Sequence, residues 1–436
     1  MKLNWFSPLA PAKTDIAHYT KRLLPELARI ADVTLWTDQN NWDRELEALA
    51  QVKSYRLDRM PWVELNRGEL TYYNLGNNPD FHGNIWHASR LLPGVVILHD
   101  FRLHHFFDGL YRVQLRDLRS YLSVMTKYYG EKGRADALDC YEREARNIDD
   151  MAARYPLTQL AAENALGVVV HTDEAFSELR KDLQSPLAYI PLPFPAHDNG
   201  QQREHRFHGK IRLVVFGYIG RSRRLVSILH AIAGMEDRDR LQLDVFGCIL
   251  KDEKELRSQV KALKLSRQVK FHGFRPEPDL DSQLAEADLA INLRYPTMGE
   301  ASGSQLRIWA HSLPSMVSKV GWYASLPPDT VAFVRVDENE VFDIQTHLKR
   351  LMVEPEHFRR MGARGRRVLE ECHSPETYVT NLMTLAERAR RFRSRLAGLE
   401  LAERAAGCLA DLSLHSVAPA TLRRVATNIE SLGPRN

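Results

Sequence analysis

Cysteine is scarce in this chain. Cys140, Cys248, Cys372 and Cys408 are scattered over 436 residues with no C-x-x-C pair. Such spacing argues against a structural zinc site and against a disulfide framework, and a reducing cytoplasm is the expected location. Long hydrophobic runs are also missing. The most apolar stretches, such as Gly94–Leu98 and Leu213–Gly217, fall far short of the roughly 18 residues that a membrane span needs. The start of the chain, Met1-Lys2-Leu3-Asn4-Trp5-Phe6-Ser7-Pro8, has no sustained apolar region, so a secretory signal is not expected. No Lys/Arg block is interleaved with aromatics, which disfavours nucleic acid as a partner. There is no short internal repeat and no low-complexity tract.

What is present is the balance of a folded soluble protein, with 44% hydrophobic and 27% charged residues. Its length calls for two domains. The charge is uneven: residues 1–200 carry a net −4 and residues 201–436 a net +8. A basic half beside an acidic half suggests that one domain holds something anionic, such as a phosphorylated small molecule.

Short β-branched runs alternate with helical patterns in both halves. Leu3–Phe6, Val33–Thr37, Leu70–Leu75, Val95–His99 and Gly167–His171 read as buried strands, separated by helices such as Ile16–Ala31 and Ala175–Leu183. In the second half the strands are Ile211–Gly217, Leu241–Gly247, Val269–Gly273, Leu289–Leu293, Ser315–Ser318 and Val331–Val336. Helices Leu225–Gly234, Glu253–Leu263, Asp279–Ala285 and Ser304–His311 lie between them. Such alternation predicts an α/β protein with two parallel sheets in tandem. Domains are expected over 1–195 and 209–375, joined near Leu192–Lys210, where Pro191-Leu192-Pro193 leads into a polar segment. Pro355–Arg395 reads as helical and Arg-rich, and Leu399–Leu432 as a helical tail.

Open α/β sheets bind ligands beyond the carboxyl ends of their strands. Strand Ile211–Phe216 runs into Gly217-Tyr218-Ile219-Gly220-Arg221-Ser222-Arg223-Arg224. This is not G-x-G-x-x-G, which disfavours a nicotinamide enzyme. Either it is a solvated basic loop, or its three arginines offer cationic donors to a ligand. Strand Leu289–Leu293 runs into Arg294-Tyr295-Pro296-Thr297-Met298-Gly299-Glu300-Ala301-Ser302-Gly303-Ser304, where Ser302 or Ser304 can cap a helix. A helix start of this kind suits an anion, although an ordinary capped helix reads the same way. Elsewhere the bland reading is favoured. Asp237-Arg238-Asp239 and Asp279-Leu280-Asp281 fit a turn and a helix start better than a metal site, and His104-His105 fits a helix start. Phe106, Phe107, Tyr111, Tyr121, Tyr128 and Tyr129, among basic residues, fit helix packing better than contact with a membrane surface or lipid-linked acceptor.

The stretch Arg294–Pro314, with Ser318-Lys319-Val320-Gly321-Trp322, resembles the sugar-nucleotide signature of the family 4 glycosyltransferases. The resemblance extends to Phe216–Arg224, Val269–Phe274, Asp288–Asn292 and the N-terminal Phe6-Ser7-Pro8-Leu9 with Thr14, Ile16-Ala17 and Tyr19. It implies the GT-B fold, two Rossmann-like domains facing across a cleft, with 376–395 crossing back to the first domain and 396–436 as a helical tail. It also implies a hexosyltransferase-type enzyme that moves a sugar, with retention, from a nucleotide diphosphate sugar to a glycan or lipid-linked acceptor. Cell-surface polysaccharide or glycoconjugate assembly would be its setting, and a peripheral contact with the inner face of a membrane stays open. Neither cofactor nor metal is implied.

By the same resemblance, His99, Glu300 and Arg223 would be catalytic. Gly217, Tyr218, Arg223, Arg224, Gly247, Gly273, Phe274, Gly299, Ser302, Gly303, Ser304 and Arg307 would surround the nucleotide sugar, and Thr14, Asp15 and Asp100 would face the acceptor side. Three positions depart from the family pattern: Arg307 stands where a second Glu is common, Tyr218 where an Arg is, and Asp15 where a first-loop Gly is often seen. A sugar-nucleotide epimerase or hydrolase of the same fold, or a catalytically silent nucleotide-sugar-binding module, are the alternatives.

Overall fold

The computed structural model describes residues 1–142, 146–196, 210–249, 253–411 and 424. The chain divides into two compact units. One comprises Met1–Val170, Ala175–Ile190 and Val379–Asn436, and the other His171–Glu174 with Pro191–Tyr378. Most of the polar joint, 197–209, and most of the expected tail, 412–423 and 425–436, lie outside the described residues.

The first unit is built on seven strands: β1 (Lys2–Phe6), β2 (Asp32–Thr37), β3 (Gln51–Ser54), β4 (Leu70–Leu75), β5 (Val95–Leu98), β6 (Gly167–Val170) and β7 (Leu187–Tyr189). They lie in the order β3-β2-β1-β4-β5-β6-β7, and every pair is parallel. Strands β4, β5 and β6 are buried along their whole length, as parallel strands covered on both faces must be. The short edge strands β3 and β7 are half-exposed; β3 carries no apolar run and β7 is only three residues long, so sequence pattern does not reveal them.

The second unit holds β8 (Ile211–Phe216), β9 (Leu241–Phe246), β10 (Val269–Gly273), β11 (Leu289–Asn292), β12 (Ser315–Ser318) and β13 (Ala332–Val334). These are all parallel, in the order β10-β9-β8-β11-β12-β13. Its core gathers strand residues such as Leu213, Val215, Leu243 and Ile291 with helix residues such as Ile228, Leu348 and Phe358. In each sheet the order of strands reverses once, between β1 and β4 and between β8 and β11. A doubly wound sheet opens its ligand crevice at that reversal.

Helix ends follow local chemistry. Thr14 caps the helix Asp15–Ile30, and Asn78 caps Pro79–Leu91, where proline occupies the first turn. The helical stretch expected over Pro355–Arg395 consists of two helices, Pro355–Cys372 and Pro375–Asp411. Ser374 precedes Pro375, and the ring of a proline disfavours helical backbone in the residue before it. From Val379 onward the second of these belongs to the first unit, where Val379, Leu382, Leu385, Ala386, Ala389 and Phe392 are buried. Tyr72 Oη donates to the Leu382 carbonyl at 3.3 Å.

The aromatic stretch is core. Phe106, Phe107, Tyr111 and Tyr121 are buried, and Tyr129 Oη receives the Leu157 amide. Phe106, Phe107, Tyr111 and Tyr121 therefore belong to the core of the first unit. No helix is long and apolar enough to cross a membrane among the described residues.

Candidate functional site

In the second unit, three adjacent strands end in glycines with positive φ: Gly217 at 107°, Gly247 at 119° and Gly273 at 68°. The Gly217 amide donates to Phe246 O at 3.0 Å and the Gly247 amide to Gly273 O at 2.7 Å, so the turns continue the ladder beyond the strands. Packing is tight here. A Cβ on Gly247 would collide with the Gly217 carbonyl, and one on Gly217 would sit 2.9 Å from Arg223 Nη2. Glycine at both positions lets the turns nest and brings the Arg223 guanidinium against the backbone.

Arg223 closes the short 3-10 turn Arg221–Arg223 and is only 4% exposed. Its Nη1 donates to Asn292 Oδ1 at 2.6 Å and its Nη2 to Ser304 Oγ at 3.3 Å. Asn292, the last residue of β11, passes a hydrogen bond to Gln305 Oε1, and Gln305 Nε2 donates to Ser315 on β12. These bonds tie the Arg223 guanidinium to the far side of the β8–β11 reversal. Ser302 is the cap of helix Gly303–Ala310, its Oγ accepting the Gln305 amide at 3.1 Å. A Cβ on Gly303 would meet nothing within 4 Å, so the first turn of the helix is open on that side. Positive charge and helix amides converge at one strand end, an arrangement that binds phosphate.

Glu300 is wired into its own loop. Its Oε2 accepts from Thr297 Oγ1 and from the Met298 amide, both at 2.7 Å, and Oε1 lies 3.3 Å from Arg294 Nε. Gly299, at φ 74°, offers its carbonyl to Thr172 Oγ1. Tyr218 and Phe274 are exposed, at 37% and 57%.

Two expected ligand groups are engaged elsewhere. Arg224 makes a bidentate pair with the buried Glu340, through Nε at 2.9 Å and Nη2 at 2.6 Å, and Ser227 joins the same carboxylate. Its φ of 55° turns the side chain off the strand end. Arg307 reaches the opposite way, to Asp281 at 2.8 and 2.9 Å and Glu277 at 2.8 Å, tying its helix to helix Glu277–Glu286. Burial alone would raise the Asp281 carboxyl. Hydrogen bonds from His311 and Arg307, with their charge, win and hold it well below the usual carboxylate range. Asp239, from the other Asp-x-Asp pair, accepts from Gln268 Nε2 at 2.7 Å.

In the first unit, His99 and Asp100 follow β5. His99 Nε2 lies 3.1 Å from Asn74 Oδ1, and the Tyr19 ring meets the imidazole edge-on at 4.7 Å. Asp100 Oδ2 accepts the Asn77 amide at 2.8 Å and so braces the loop after β4. Thr14 Oγ1 accepts the Ile16 amide at 3.4 Å, and Asp15 is exposed in that first helical turn. His104 is buried between Tyr155 O and Tyr121 Oη, and burial pushes it down to about 4.

Sequence reading passed over Asn74, Asn292, Gln305 and Glu340. The first two carried a usable signal: each is the one amide side chain in a fully buried strand, and a buried polar group demands partners. Nothing marks Glu340, whose partner lies 116 positions away.

Residues 198–368 match the family model for glycosyl transferases group 1. No curated protein matches the chain. Among solved structures, the chain resembles HepE of Anabaena in complex with UDP, at 15% identity and a TM-score of 0.58, over 88% of this chain and 99% of that one. It resembles the sucrose-phosphate synthase of Thermosynechococcus elongatus at 16% identity and a TM-score of 0.60, over 89% and 98%. WaaG, a glycosyltransferase involved in lipopolysaccharide biosynthesis, gives 14% and 0.54, over 88% and 100%. The fold is GT-B, and the family match together with these neighbours supports a glycosyltransferase.

Proposed function

We propose that the protein moves a hexosyl group from a nucleotide diphosphate sugar to a glycan or lipid-linked acceptor, with retention, in the assembly of a cell-surface polysaccharide or glycoconjugate. One observation carries the reading. Within the segment matching glycosyl transferases group 1, buried Arg223 meets Ser304 in the open first turn of helix Gly303–Ala310, where a diphosphate would be held.

In this reading the leaving diphosphate is neutralised by Arg223 and the Gly303–Ser304 amides rather than by a metal. The acceptor hydroxyl attacks the anomeric carbon on the face that the diphosphate leaves. The carbon–oxygen bond to phosphate breaks as the new glycosidic bond forms, and a diphosphate oxygen takes the acceptor proton. No protein nucleophile is required, and the chain contributes orientation and charge stabilisation. His99 and Glu300 orient the sugar, with Gly217, Gly247, Gly273 and Phe274 bordering the nucleotide and Thr14, Asp15 and Asp100 bordering the acceptor. Arg307 and Arg224 act through their ion pairs, on the shape of the site.

HepE has been solved with UDP-glucose, which makes that compound the first donor to try. Thermal shift against UDP-, GDP-, ADP- and dTDP-sugars reads binding directly, since a ligand at 100 times its Kd stabilises by about 2.7 kcal/mol. Turnover is then followed with and without acceptor glycan. Acceptor-dependent release of nucleoside diphosphate supports transfer. Equal turnover without acceptor marks a hydrolase or epimerase, binding without turnover marks a silent module, and no shift with any nucleotide sugar defeats the reading.

A further inference from the structure

Residues 1–200 carry a net −4, yet five arginines and a single acid, Glu387, fall within residues 387–395. This segment lies on helix Pro375–Asp411. The helix buries Leu385, Ala389 and Phe392 and leaves Arg388, Arg390, Arg391, Arg393 and Arg395 exposed. Arg388, Arg391 and Arg395, spaced three and four apart, form one stripe. They make no ion pair among the described residues. Glu69 fixes where the stripe stands. Its carboxylate pairs with Arg390 at 3.2 Å and accepts the Lys2 amide at 3.2 Å, and its carbonyl accepts from Arg393 Nη2 at 3.3 Å. Lys2 opens β1 and Glu69 precedes β4, so the arginines lie at the amino ends of the strands. The crevice of a doubly wound sheet is at the opposite, carboxyl ends.

Apolar surface meets the charge at this pole. A cavity of about 290 Å³ is lined by Leu65, Leu92, Pro93, Leu166 and Leu396, with Arg393 in its wall. It shares Gly68 with a smaller cavity of about 130 Å³, whose wall includes Lys2, Lys53 and Arg67. Next to the lining residues in the chain, Val63 is 73% exposed and Leu91 54%, and Trp62 is exposed as well. A soluble polyanion would call for the cations alone. Arginines around an apolar-lined cavity, beside exposed leucine, valine and tryptophan, suit a surface that is anionic outside and hydrocarbon beneath.

We infer that the amino-terminal pole of the first unit docks on an anionic phospholipid bilayer, with Arg388, Arg391 and Arg395 against the headgroup phosphates. Docking there leaves the carboxyl-end crevice of this sheet uncovered. The inference does not rest on the glycosyltransferase reading.

Flotation of the full chain with phosphatidylcholine vesicles, with and without phosphatidylglycerol, tests this with no need for turnover. The chain is expected on the anionic vesicles alone, and less of it as salt screens the charge. The triple variant Arg388→Gln, Arg391→Gln, Arg395→Gln should lose about fivefold in partition per arginine, the equivalent of about 1 kcal/mol each. Glu387→Lys adds charge to the same exposed stretch and should strengthen partition on the anionic vesicles alone, a gain that misfolding does not produce. Soluble glycerol phosphate offers the headgroup without the bilayer and should not displace the chain. Absence of flotation, equal flotation on both vesicles, unchanged partition in the triple variant, or displacement by glycerol phosphate overturns the inference. Any of these leaves the glycosyltransferase reading intact, and a wild-type chain that turns over no nucleotide sugar leaves the docking surface standing.

Discussion

Arg223 is a buried cation that donates to Asn292 and Ser304 beside an open helix turn. An incoming diphosphate would meet a charge already oriented. Arg223→Ala should weaken nucleotide sugar and free nucleoside diphosphate together, by about 1.5–3 kcal/mol for a hydrogen bond to a charged group. Isothermal calorimetry on the folded variant checks this, and unchanged diphosphate affinity would remove Arg223 from the site. Glu300 calls for a different expectation, because its Oε2 already accepts two hydrogen bonds from its own loop. Glu300→Gln retains a carbonyl oxygen for those bonds, so turnover should drop while diphosphate affinity stays nearly intact. Glu300→Ala should lower both, since the loop loses its brace. Equal losses in the two variants would make Glu300 a loop residue alone.

Among elements, the nested turns after β8 and β9 leave no room for side chains. Gly247→Ala combines a φ of 119° with a collision against the Gly217 carbonyl, and should destabilise the second unit by at least about 1–3 kcal/mol. Urea unfolding followed by fluorescence tests it, and a midpoint within error of wild type would contradict the geometry. The pairing of helix Gly303–Ala310 with helix Glu277–Glu286 through Arg307 and Asp281 has a pH signature. Asp281 is held below its unfolded value, so it contributes stability that is fully present above about pH 4, the ordinary carboxylate range, and is lost as pH falls further. The stability gap between wild type and Asp281→Asn should therefore be constant near neutrality and narrow in acid. A gap independent of pH would mean that the bridge acts through packing rather than charge.

On the scale of the whole molecule, the chain returns at its far end to complete its first unit. Helix residues Val379, Leu382, Leu385 and Phe392 are buried there, and Leu385 and Ala389 pack beside Gly167 on β6. Each large apolar side chain buried is worth about 1.5–3 kcal/mol. Ending the chain at Tyr378 should cost the first unit most of its stability, although every strand of that unit lies within residues 2–189. Hydrogen exchange provides the test: amides of β4 and β6 should lose protection while those of β8 and β9 keep theirs. Equal loss in both units would refute the assignment of the helix to the first.

Sequence alone determined most of the strands, the parallel α/β class and the two loops that carry charge and a helix start. Buried parallel strands must be continuously apolar, and glycine, serine and arginine at strand ends announce turns and anion donors locally. Tertiary structure alone decided which polar groups meet. Arg223 and Arg224 are neighbours with the same chemistry, yet one faces Ser304 and the other Glu340, because Arg224 itself stands in the left-handed region and Glu340 lies 116 positions on. Arg307 is expected from sequence among the nucleotide-sugar residues, yet Asp281 and Glu277 stand opposite it. The edge strands β3 and β7 are not legible in sequence because β3 is half-exposed with no apolar run and β7 is only three residues long. Asn74 shows the division most clearly. A polar residue in a buried strand can be read from sequence, but the direction of its amide depends on the carbonyl of Phe6, 68 residues away, and on the ring of His99.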